Sequence, residues 1–290
     1  MLSNPKVTND DVRRFWEANP VAAAAIQERP GSAAFFAAFD RLREADECEP
    51  YDYSNRIHGY DRASGKRVLD VGCGNGYVLS HYARHGAETA GVDLTEAALE
   101  LSRERFALAG LSGDFRRTDG DSLPFPDSHF DIACSMGVLH HIENPAPMLR
   151  EMHRVLKPGG QLILMLYHRA SWKYRVVLPL RRHFDPAYRG KSLAEALNMN
   201  DGKDCPLAKV YGRDEVRALL RDFTNTQFAV NLLTWKQVFL VPALARGLAP
   251  LLPRQSDNLL ARRWGWNLYV QADKPAFPSA PNRRPPSGAP

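Results

Sequence analysis

Cysteine is scarce in this chain of 290 residues, which contains only four. These are Cys48, Cys73, Cys134 and Cys205, which lie far apart and form no Cys-x-x-Cys pair. Their spacing excludes a zinc-ribbon site and a disulfide framework, and we expect no bound metal. Such cysteines suit a reducing compartment, and the polar first residues show no apolar signal-peptide segment. We therefore predict a cytoplasmic protein.

Long hydrophobic runs are also missing. The apolar stretch from Val238 to Leu252 is interrupted by Pro242, Arg246 and Pro250. It is too short and too broken to span a bilayer. We expect it to pack on the domain, and a membrane-interface or subunit-contact role is the alternative.

A strong charge of one sign is missing too, because the formal net charge is only +5 at pH 7. No dense basic run is interleaved with aromatic residues, so we expect no nucleic-acid partner. The modest excess of positive charge is compatible with an acidic substrate.

Glycine, in contrast, is concentrated at one informative place, residues 68–76, which read VLDVGCGNG. The apolar residues predict the end of a buried strand, and the alternating glycines predict a tight turn. The following residues, Val78 to His85, are predicted to form a helix. Glycines in such a turn let the backbone approach a ligand closely, which indicates a nucleotide-type cofactor.

Asp70 distinguishes between two such cofactors. A dinucleotide fold requires Gly-x-Gly-x-x-Gly, but here the third glycine is Gly76, one residue early, and Tyr77 takes the expected place. The Asp70 carboxylate would repel a pyrophosphate and attract the α-ammonium of S-adenosylmethionine. Asp93 follows a second predicted strand, 19 residues after Gly74, where an acidic residue can accept both ribose hydroxyls. Asp93 fits either cofactor, since both contain ribose, but Asp70 and Tyr77 disfavour a nicotinamide-dependent oxidoreductase.

Strands and helices alternate along this region, including a helix predicted from Thr95 to Ala109 and a strand predicted from Gln161 to Tyr167. This alternation predicts an α/β fold with a doubly wound parallel sheet. Asp70, Asp93, Asp119 and His140 all fall at or just past predicted strand ends. Because ligands bind beyond the carboxyl ends of such strands, one shared crevice is expected.

Five motifs occur in order between Lys66 and about Leu166: VLDVGCGNG, GVDLTEAAL, TDGDSLPFPD, FDIACSMGVLHHI and LREMHRVLKPGGQLIL. In these the chain resembles the class I S-adenosylmethionine-dependent methyltransferases, in particular the branch that includes ubiquinone-biosynthesis C-methyltransferases. The resemblance covers a little over a third of the chain. It implies a Rossmann-like sheet of seven strands, mostly parallel, closed by an antiparallel hairpin from Thr226 to Trp235 and Trp266 to Ala272.

The resemblance also implies roles for individual residues around the cofactor. The methionine end would be surrounded by Asp70, Gly72, Gly74 and Gly76, and Asp93 would hold the ribose. The adenine would be contacted by Leu94, Asp119 and Gly120, with Met136 on the other side of the cofactor. Outside the motifs, Tyr60 is a possible contact to the methionine portion.

Two histidines are candidates for a catalytic base. His140 follows the fourth predicted strand and is the first candidate, and His141 is the second. Histidine titrates in the range needed to take a proton from a nucleophile that arrives protonated. In the alternative, one histidine only packs and the other only positions a ligand.

The predicted domain organisation has a methyltransferase domain at its centre, over residues 66–272. Residues 1–65 are predicted to be a helical N-terminal extension that acts as a lid. A cap insertion is predicted at about 168–210, a hairpin insertion at about 237–263, and a disordered tail at 273–290. The cap contains Arg175, Arg181 and Arg182, and such guanidinium groups would favour a carboxylate or phosphate on the substrate.

The predicted function is methyl transfer from S-adenosylmethionine to an oxygen, nitrogen or carbon atom of a small molecule. The net positive charge and the cap arginines favour an anionic one. The alternative is a cofactor-binding protein that acts on a macromolecule or is not catalytic.

Overall fold

The structure of the protein, a computed structural model, describes residues 7–20, 25–239, 248 and 251–276. A seven-stranded sheet with the strand order β3-β2-β1-β4-β5-β7-β6 organises the fold. Its strands are β1 (Arg67–Val71), β2 (Glu88–Asp93), β3 (Asp114–Arg117), β4 (Phe130–Met136), β5 (Leu156–Tyr167), β6 (Thr224–Asn231) and β7 (Asn267–Asp273).

The sheet is parallel from β3 to β5 and antiparallel at its other end. In the centre, Asp70 of β1 pairs with Gly91 of β2 and with Cys134 of β4. The last strand, β7, runs antiparallel to both β5 and β6 and lies between them. The predicted mostly parallel sheet with a closing antiparallel pair is confirmed.

Helices cover the sheet and connect its strands. In chain order they are α1 (Asn9–Ala18), α2 (Ala33–Arg43), α3 (Tyr51–His58), α4 (Tyr77–Arg84), α5 (Glu96–Leu108), α6 (Ala146–Val155), α7 (Leu178–Phe184), α8 (Leu193–Asn198), α9 (Arg213–Leu219), α10 (Trp235–Phe239) and α11 (Leu259–Trp264). The helix predicted from Thr95 to Ala109 is α5, whose first residue follows Thr95 because the Thr95 hydroxyl caps it.

Three elements depart from the sequence prediction. Strand β6 ends at Asn231 rather than at Trp235, because Trp235 begins α10. The edge strand β3 was not predicted, because Phe115 is its only apolar residue and no alternating pattern marks it. Strand β5 begins at Leu156 rather than at Gln161. A register irregularity opposite β4 lets the strand continue through Gly159, which has a φ of +77°.

Apolar side chains fill both faces of the sheet. One cluster includes Met148 and Met152 of α6 and Val216 of α9. The cluster on the other face includes Phe35 of α2 and Leu99 of α5. Burial on both sides explains why the central strands are almost continuously apolar.

The segment between β5 and α9 has a small core of its own. It begins with a π-helical turn, Lys173–Val177, and continues through α7 and α8. Leu178, Tyr188 and Leu197 pack there against Tyr167 and Trp266 at the edge of the sheet. This segment occupies most of the range predicted as a cap.

A buried carboxylate joins the N-terminal helices to the last strand. Glu49 is 1% exposed and accepts hydrogen bonds from Arg43 (2.8 Å), from Ser54 (2.7 Å) and from the Tyr269 hydroxyl. Burial alone would raise the pKa of Glu49, but the Arg43 charge and these hydrogen bonds hold it below its usual value. Residues 33–58 are thereby fixed to β7.

In the part of the chain that is described, no helix combines the length and the apolar character needed to cross a membrane. The apolar stretch Val238 to Leu252 lies mostly outside the described residues, and so does the predicted tail after residue 276.

Candidate functional site

Two adjoining cavities open at the carboxyl ends of β1, β2 and β4. The first contains about 920 Å³ of empty space and the second about 1050 Å³, in both cases including space open to solvent. The two share Trp16 of α1, the glycine turn after β1, Met136 and His141. They therefore form one cleft at the edge of the sheet where the sequence predicts a crevice.

The glycine turn forms the floor of this cleft. Gly72 has a φ of +78°, and a Cβ atom there would collide with the Val138 side chain. Gly74 lines both cavities, whereas Gly76 lines neither and instead precedes α4. The backbone at Gly72 and Gly74 is therefore bare toward the cleft.

Asp70, at the end of β1, is the most unusual group in the cleft. The residue lines the second cavity, yet it is only 2% exposed, and Oδ1 is buried without a hydrogen-bond partner among the residues that the structure describes. Burial raises the pKa of Asp70 to about 8, and the nearby Asp93 charge adds to that rise. A buried carboxylate with an unpartnered oxygen favours a bound cation or hydrogen-bond donor at this place.

Asp93, at the end of β2, faces the first cavity and also holds the local backbone. Its Oδ2 accepts a hydrogen bond from the Gly74 amide (3.1 Å), and its Oδ1 accepts from the Thr95 amide (3.0 Å) and hydroxyl (2.9 Å). Burial raises the pKa of Asp93, although these hydrogen bonds oppose the shift. Each carboxylate oxygen can accept two hydrogen bonds, so Oδ1 is fully used and Oδ2 keeps one lone pair for a ligand.

The other predicted cofactor contacts divide into two groups. Leu94, Gly120 and Met136 line the first cavity. Asp119 does not, because it is exposed and its Oδ1 accepts hydrogen bonds from the backbone amides of the turn that follows it. Tyr60 does not either: it is fully buried, its ring is stacked on His58, and its hydroxyl is hydrogen-bonded to Ser54.

Of the two candidates for the base, the structure places the second, His141, in the cleft and the first, His140, outside it. His140 is fully buried and lines neither cavity. Its ring is stacked on Tyr167 with centroids 3.7 Å apart, so the first candidate for the base does not reach the cleft. His141 lines both cavities. Its Nδ1 lies 2.6 Å from the Leu207 carbonyl oxygen, which only accepts, so Nδ1 carries the proton and Nε2 has a free lone pair.

Two residues at the glycine turn, Asn75 and Arg105, could not be assigned a role from the sequence. Asn75 lines both cavities, and its carbonyl accepts a hydrogen bond from Arg105 of α5 (2.9 Å). Arg105 is buried, is paired with Asp40 (2.8 Å), and lies 4.5 Å from the ring of Phe36. Asn75 stands inside the glycine motif and could have been suspected. Arg105 lies in an ordinary amphipathic helix and gave no signal.

Asp201, in the loop after α8, was also missed. It lines the second cavity beside Tyr167, whose hydroxyl donates a hydrogen bond to Oδ1 (2.5 Å). The loop lies in the part of the chain that the recognised motifs do not cover, so no pattern marked it.

One group in the described part of the chain could hold a metal ion: His141, Asp201 and Cys205, whose ligand atoms lie within 4.8 Å of one another. As they stand, these groups are organised by hydrogen bonds. The Leu207 carbonyl accepts from His141 Nδ1 and from Cys205 Sγ (3.5 Å), and burial raises the pKa of that thiol to about 12.

The arginines predicted to favour an anionic substrate do not line the cleft. Arg181 donates a hydrogen bond to the Tyr188 hydroxyl (3.2 Å), and Arg182 donates to the Lys191 carbonyl (2.6 Å). Arg175 is exposed and lines a different cavity. These arginines therefore do not support an anionic substrate in the cleft.

Comparison with known proteins identifies the domain around this cleft. The family described as "Methyltransferase domain" matches residues 69–164, which include the glycine turn, Asp70, Asp93 and both histidines. The predicted resemblance to the methyltransferases is confirmed over these residues.

Curated relatives match about two fifths of the chain. The chain is 36% identical over 115 residues to the ubiquinone biosynthesis O-methyltransferase of Ruegeria pomeroyi, covering 40% of this chain and 46% of that protein. It is 42% identical over 117 residues to phthiotriol/phenolphthiotriol dimycocerosates methyltransferase 1 of Mycobacterium ulcerans, covering 39% and 42%. The chain thus spans less than half the length of these relatives.

Solved structures extend the similarity of fold beyond the methyltransferase domain. A methyltransferase of Methanosarcina mazei described as SAM-dependent matches with a TM-score of 0.53 and 22% identity, covering 77% of this chain and 98% of that one. The [4+2]-cyclase SpnF matches with a TM-score of 0.55 and 20% identity, covering 93% and 97%. At these identities the similarity shows the fold alone.

Proposed function

We propose that this protein transfers the methyl group of S-adenosylmethionine to an oxygen, nitrogen or carbon atom of a small molecule, leaving S-adenosylhomocysteine. The observation that carries the proposal is the buried, unpartnered carboxylate oxygen of Asp70 beside the bare glycine turn. An α-ammonium group is the ligand that such a carboxylate lacks. The match of the surrounding residues to a methyltransferase domain supports it.

The lining of the cleft supports one placement of the cofactor. We assign the methionine end to Asp70, Gly72 and Gly74. We assign the ribose hydroxyls to Asp93, and the adenine to the part of the first cavity lined by Leu94, Gly120 and Met136. Asp119 and Tyr60 are left out, because neither faces the cleft.

The second cavity is proposed as the chamber for the acceptor. Part of its wall comes from outside residues 69–164: Trp16 of α1, Phe39 and Leu42 of α2, and Asp201 of the segment after β5. These positions support the proposed lid and cap roles of residues 1–65 and 168–210.

The chemistry that we propose requires little of the protein beyond alignment and one proton acceptor. When bound, S-adenosylmethionine supplies a methyl group already activated on a sulfonium. Holding the acceptor in line with that methyl is worth about 7–11 kcal/mol. His141 is placed to take the proton that an acceptor hydroxyl or amine gives up, because burial lowers the pKa of His141 and its Nε2 is unprotonated.

The cofactor assignment is tested by calorimetric titration with S-adenosylhomocysteine. Asp93→Ala is expected to weaken binding at least about tenfold, because it removes a charged acceptor of hydrogen bonds. Asp222→Ala, on an exposed surface carboxylate, is the matched control, and thermal unfolding of each variant checks that it is folded. Equal affinity of Asp93→Ala and wild type would contradict the ribose assignment.

The acceptor class is tested with S-adenosylmethionine labelled in its methyl group. The protein and this cofactor are incubated with an extract of the producing cells, and small molecules are then separated from macromolecules. We expect label in the small-molecule fraction, and we expect the Asp93→Ala protein to lose it. Label confined to protein or RNA would instead establish a macromolecular substrate.

We also propose a cytoplasmic location. It is supported by the four cysteines, all of which are unpaired in the structure.

A further inference from the structure

Asp201 presents one satisfied and one unsatisfied oxygen. Oδ1 accepts hydrogen bonds from the Tyr167 hydroxyl (2.5 Å) and from the Asn200 amide (3.2 Å), which fix the orientation of the carboxylate. Oδ2 is buried and has no hydrogen-bond partner among the described residues. Since Asp201 lines the second cavity, a ligand in that cavity is the available partner for Oδ2.

The charge around the second cavity favours a donor rather than an anion. Its charged lining residues are Arg43, Asp70 and Asp201. Arg43 is already paired with Glu49 (2.8 Å), and under the proposed function the ammonium of the cofactor neutralises Asp70. The acceptor therefore meets one carboxylate and no uncompensated cation of this lining.

Lys173 supports the carboxylate without occupying its free oxygen. The Lys173 ammonium donates a hydrogen bond to the Asn200 side-chain oxygen and lies 4.4 Å from the ring of Trp266. Burial lowers the pKa of Lys173 to about 8, while the Asp201 charge opposes that shift. Lys173 does not line the cavity. It stabilises a charged Asp201 from the protein side.

Apart from Asn75 and His141, the remaining lining is mostly apolar or aromatic and includes Phe39, Leu42, Tyr77, Val78 and Met165. A molecule that fills this space must therefore be largely apolar, with a polar group where Asp201 lies.

We propose that Asp201 Oδ2 accepts a hydrogen bond from a hydroxyl or amine of the acceptor. The acceptor site thereby selects neutral or cationic apolar molecules that carry such a donor, and it rejects carboxylates. This inference rests on the proposed function, because it assigns the second cavity to the acceptor.

The test uses four probes that share a benzyl or phenyl ring and differ in one polar group: benzyl alcohol, benzylamine, benzyl methyl ether and benzoate. Their binding to the wild-type complex with S-adenosylhomocysteine is measured by NMR titration at pH 7. We expect the alcohol and the amine to bind roughly tenfold to one-hundredfold more tightly than the ether and benzoate, the range for a hydrogen bond to a charged group.

Variants then assign the preference to Asp201. Asp201→Ala is expected to remove the advantage of the alcohol over the ether, and Asp201→Asn to improve benzoate binding at least about tenfold by removing the repelling charge. Asp204→Asn, on an exposed carboxylate of the same loop, is the matched control and should keep the wild-type ranking. The affinity for S-adenosylhomocysteine should be unchanged in all three.

The proposal is overturned if benzoate or the ether binds as tightly as the alcohol. It is also overturned if none of the probes binds, or if the Asp201 variants keep the wild-type ranking. Failure of the wild-type protein to bind S-adenosylhomocysteine would remove the proposed function as well. Tight binding of S-adenosylhomocysteine with no preference for a donor would overturn only the assignment of Asp201.

Discussion

Binding of S-adenosylhomocysteine is expected to release a proton from Asp70. In the free protein, burial raises the pKa of Asp70 to about 8, so that about nine in ten molecules hold this carboxyl protonated at pH 7. The α-ammonium of the ligand attracts the ionised form and lowers the pKa on binding. Ionising Asp70 at pH 7 costs about 1.4 kcal/mol, the free energy of one pH unit, and binding has to supply it.

The affinity should therefore depend on pH. Between about pH 6 and 7.5 it is expected to rise roughly 20-fold, because the ionised fraction of Asp70 rises by that factor while the ligand ammonium keeps its proton. Titration calorimetry in phosphate and in Tris, whose ionisation enthalpies differ, counts the protons released. We expect about 0.9 at pH 7, which is the protonated fraction of Asp70 in the free protein.

Substitution isolates the contribution of Asp70. Asp70→Asn is expected to abolish both the pH dependence and the proton release and to weaken binding at pH 7.5, whereas Asp222→Asn should leave all three unchanged. An affinity that stays constant from about pH 6 to 7.5, with no proton released, would refute the pairing of Asp70 with the ammonium.

The same pKa has a consequence for the free energy of unfolding. Asp70 has its usual pKa of 3.8 in the unfolded chain and a pKa of about 8 in the folded protein. Between these values the folded state binds more protons than the unfolded state, so Asp70 makes the ligand-free protein less stable as pH rises through that window. Saturation with the ligand should remove this contribution.

Two further predictions concern activity and stability. His141→Gln is expected to lower kcat with the isolated acceptor fraction by roughly 10²- to 10⁴-fold, because it removes the proposed base. His140→Phe keeps the stacking on Tyr167 and should retain most of the activity. The opposite ranking of the two variants would restore His140 as the base. Arg105→Met leaves Asp40 as a carboxylate without its partner and is expected to cost about 3–5 kcal/mol of unfolding free energy in urea, against less than about 0.5 kcal/mol for the exposed control Arg103→Met. A small effect of Arg105→Met would show that the glycine turn does not depend on this ion pair.

The site residues whose positions can be predicted from the sequence are those that lie at the end of a predicted strand. Gly72, Asp70 and Asp93 stand at strand ends, where position in the chain already implies position in the fold. Tyr60 and His140 were misplaced because the direction in which a side chain points from a short turn is set by tertiary packing and not by its position after a strand or helix. Which of two neighbouring histidines reaches the cleft depends on the rotation of a single turn.

Residues that come together only through tertiary packing could not be predicted. Asp201 meets His141 because the segment after β5 folds back over the cleft, and no periodicity in that loop encodes the approach. Arg105 of α5 contacts both Asn75 of the glycine turn and Asp40 of α2. Strand β3 is similarly hidden, because it is an exposed edge strand with one apolar residue.

The hydrogen bond between Glu49 and Tyr269 has a consequence for how the chain folds during synthesis. The two residues lie 220 positions apart, and synthesis proceeds from the N-terminus, so Glu49 emerges long before its partner. Strand β7 must also insert between β5 and β6, which are both made earlier. Until strand β7 has been synthesised, the Glu49 carboxylate between helices α2 and α3 therefore lacks one of its hydrogen-bond donors. The molecule is built to complete its folding only after translation has passed residue 273, and ribosome-bound chains that stop before residue 267 should remain open to proteases at their N-terminal helices.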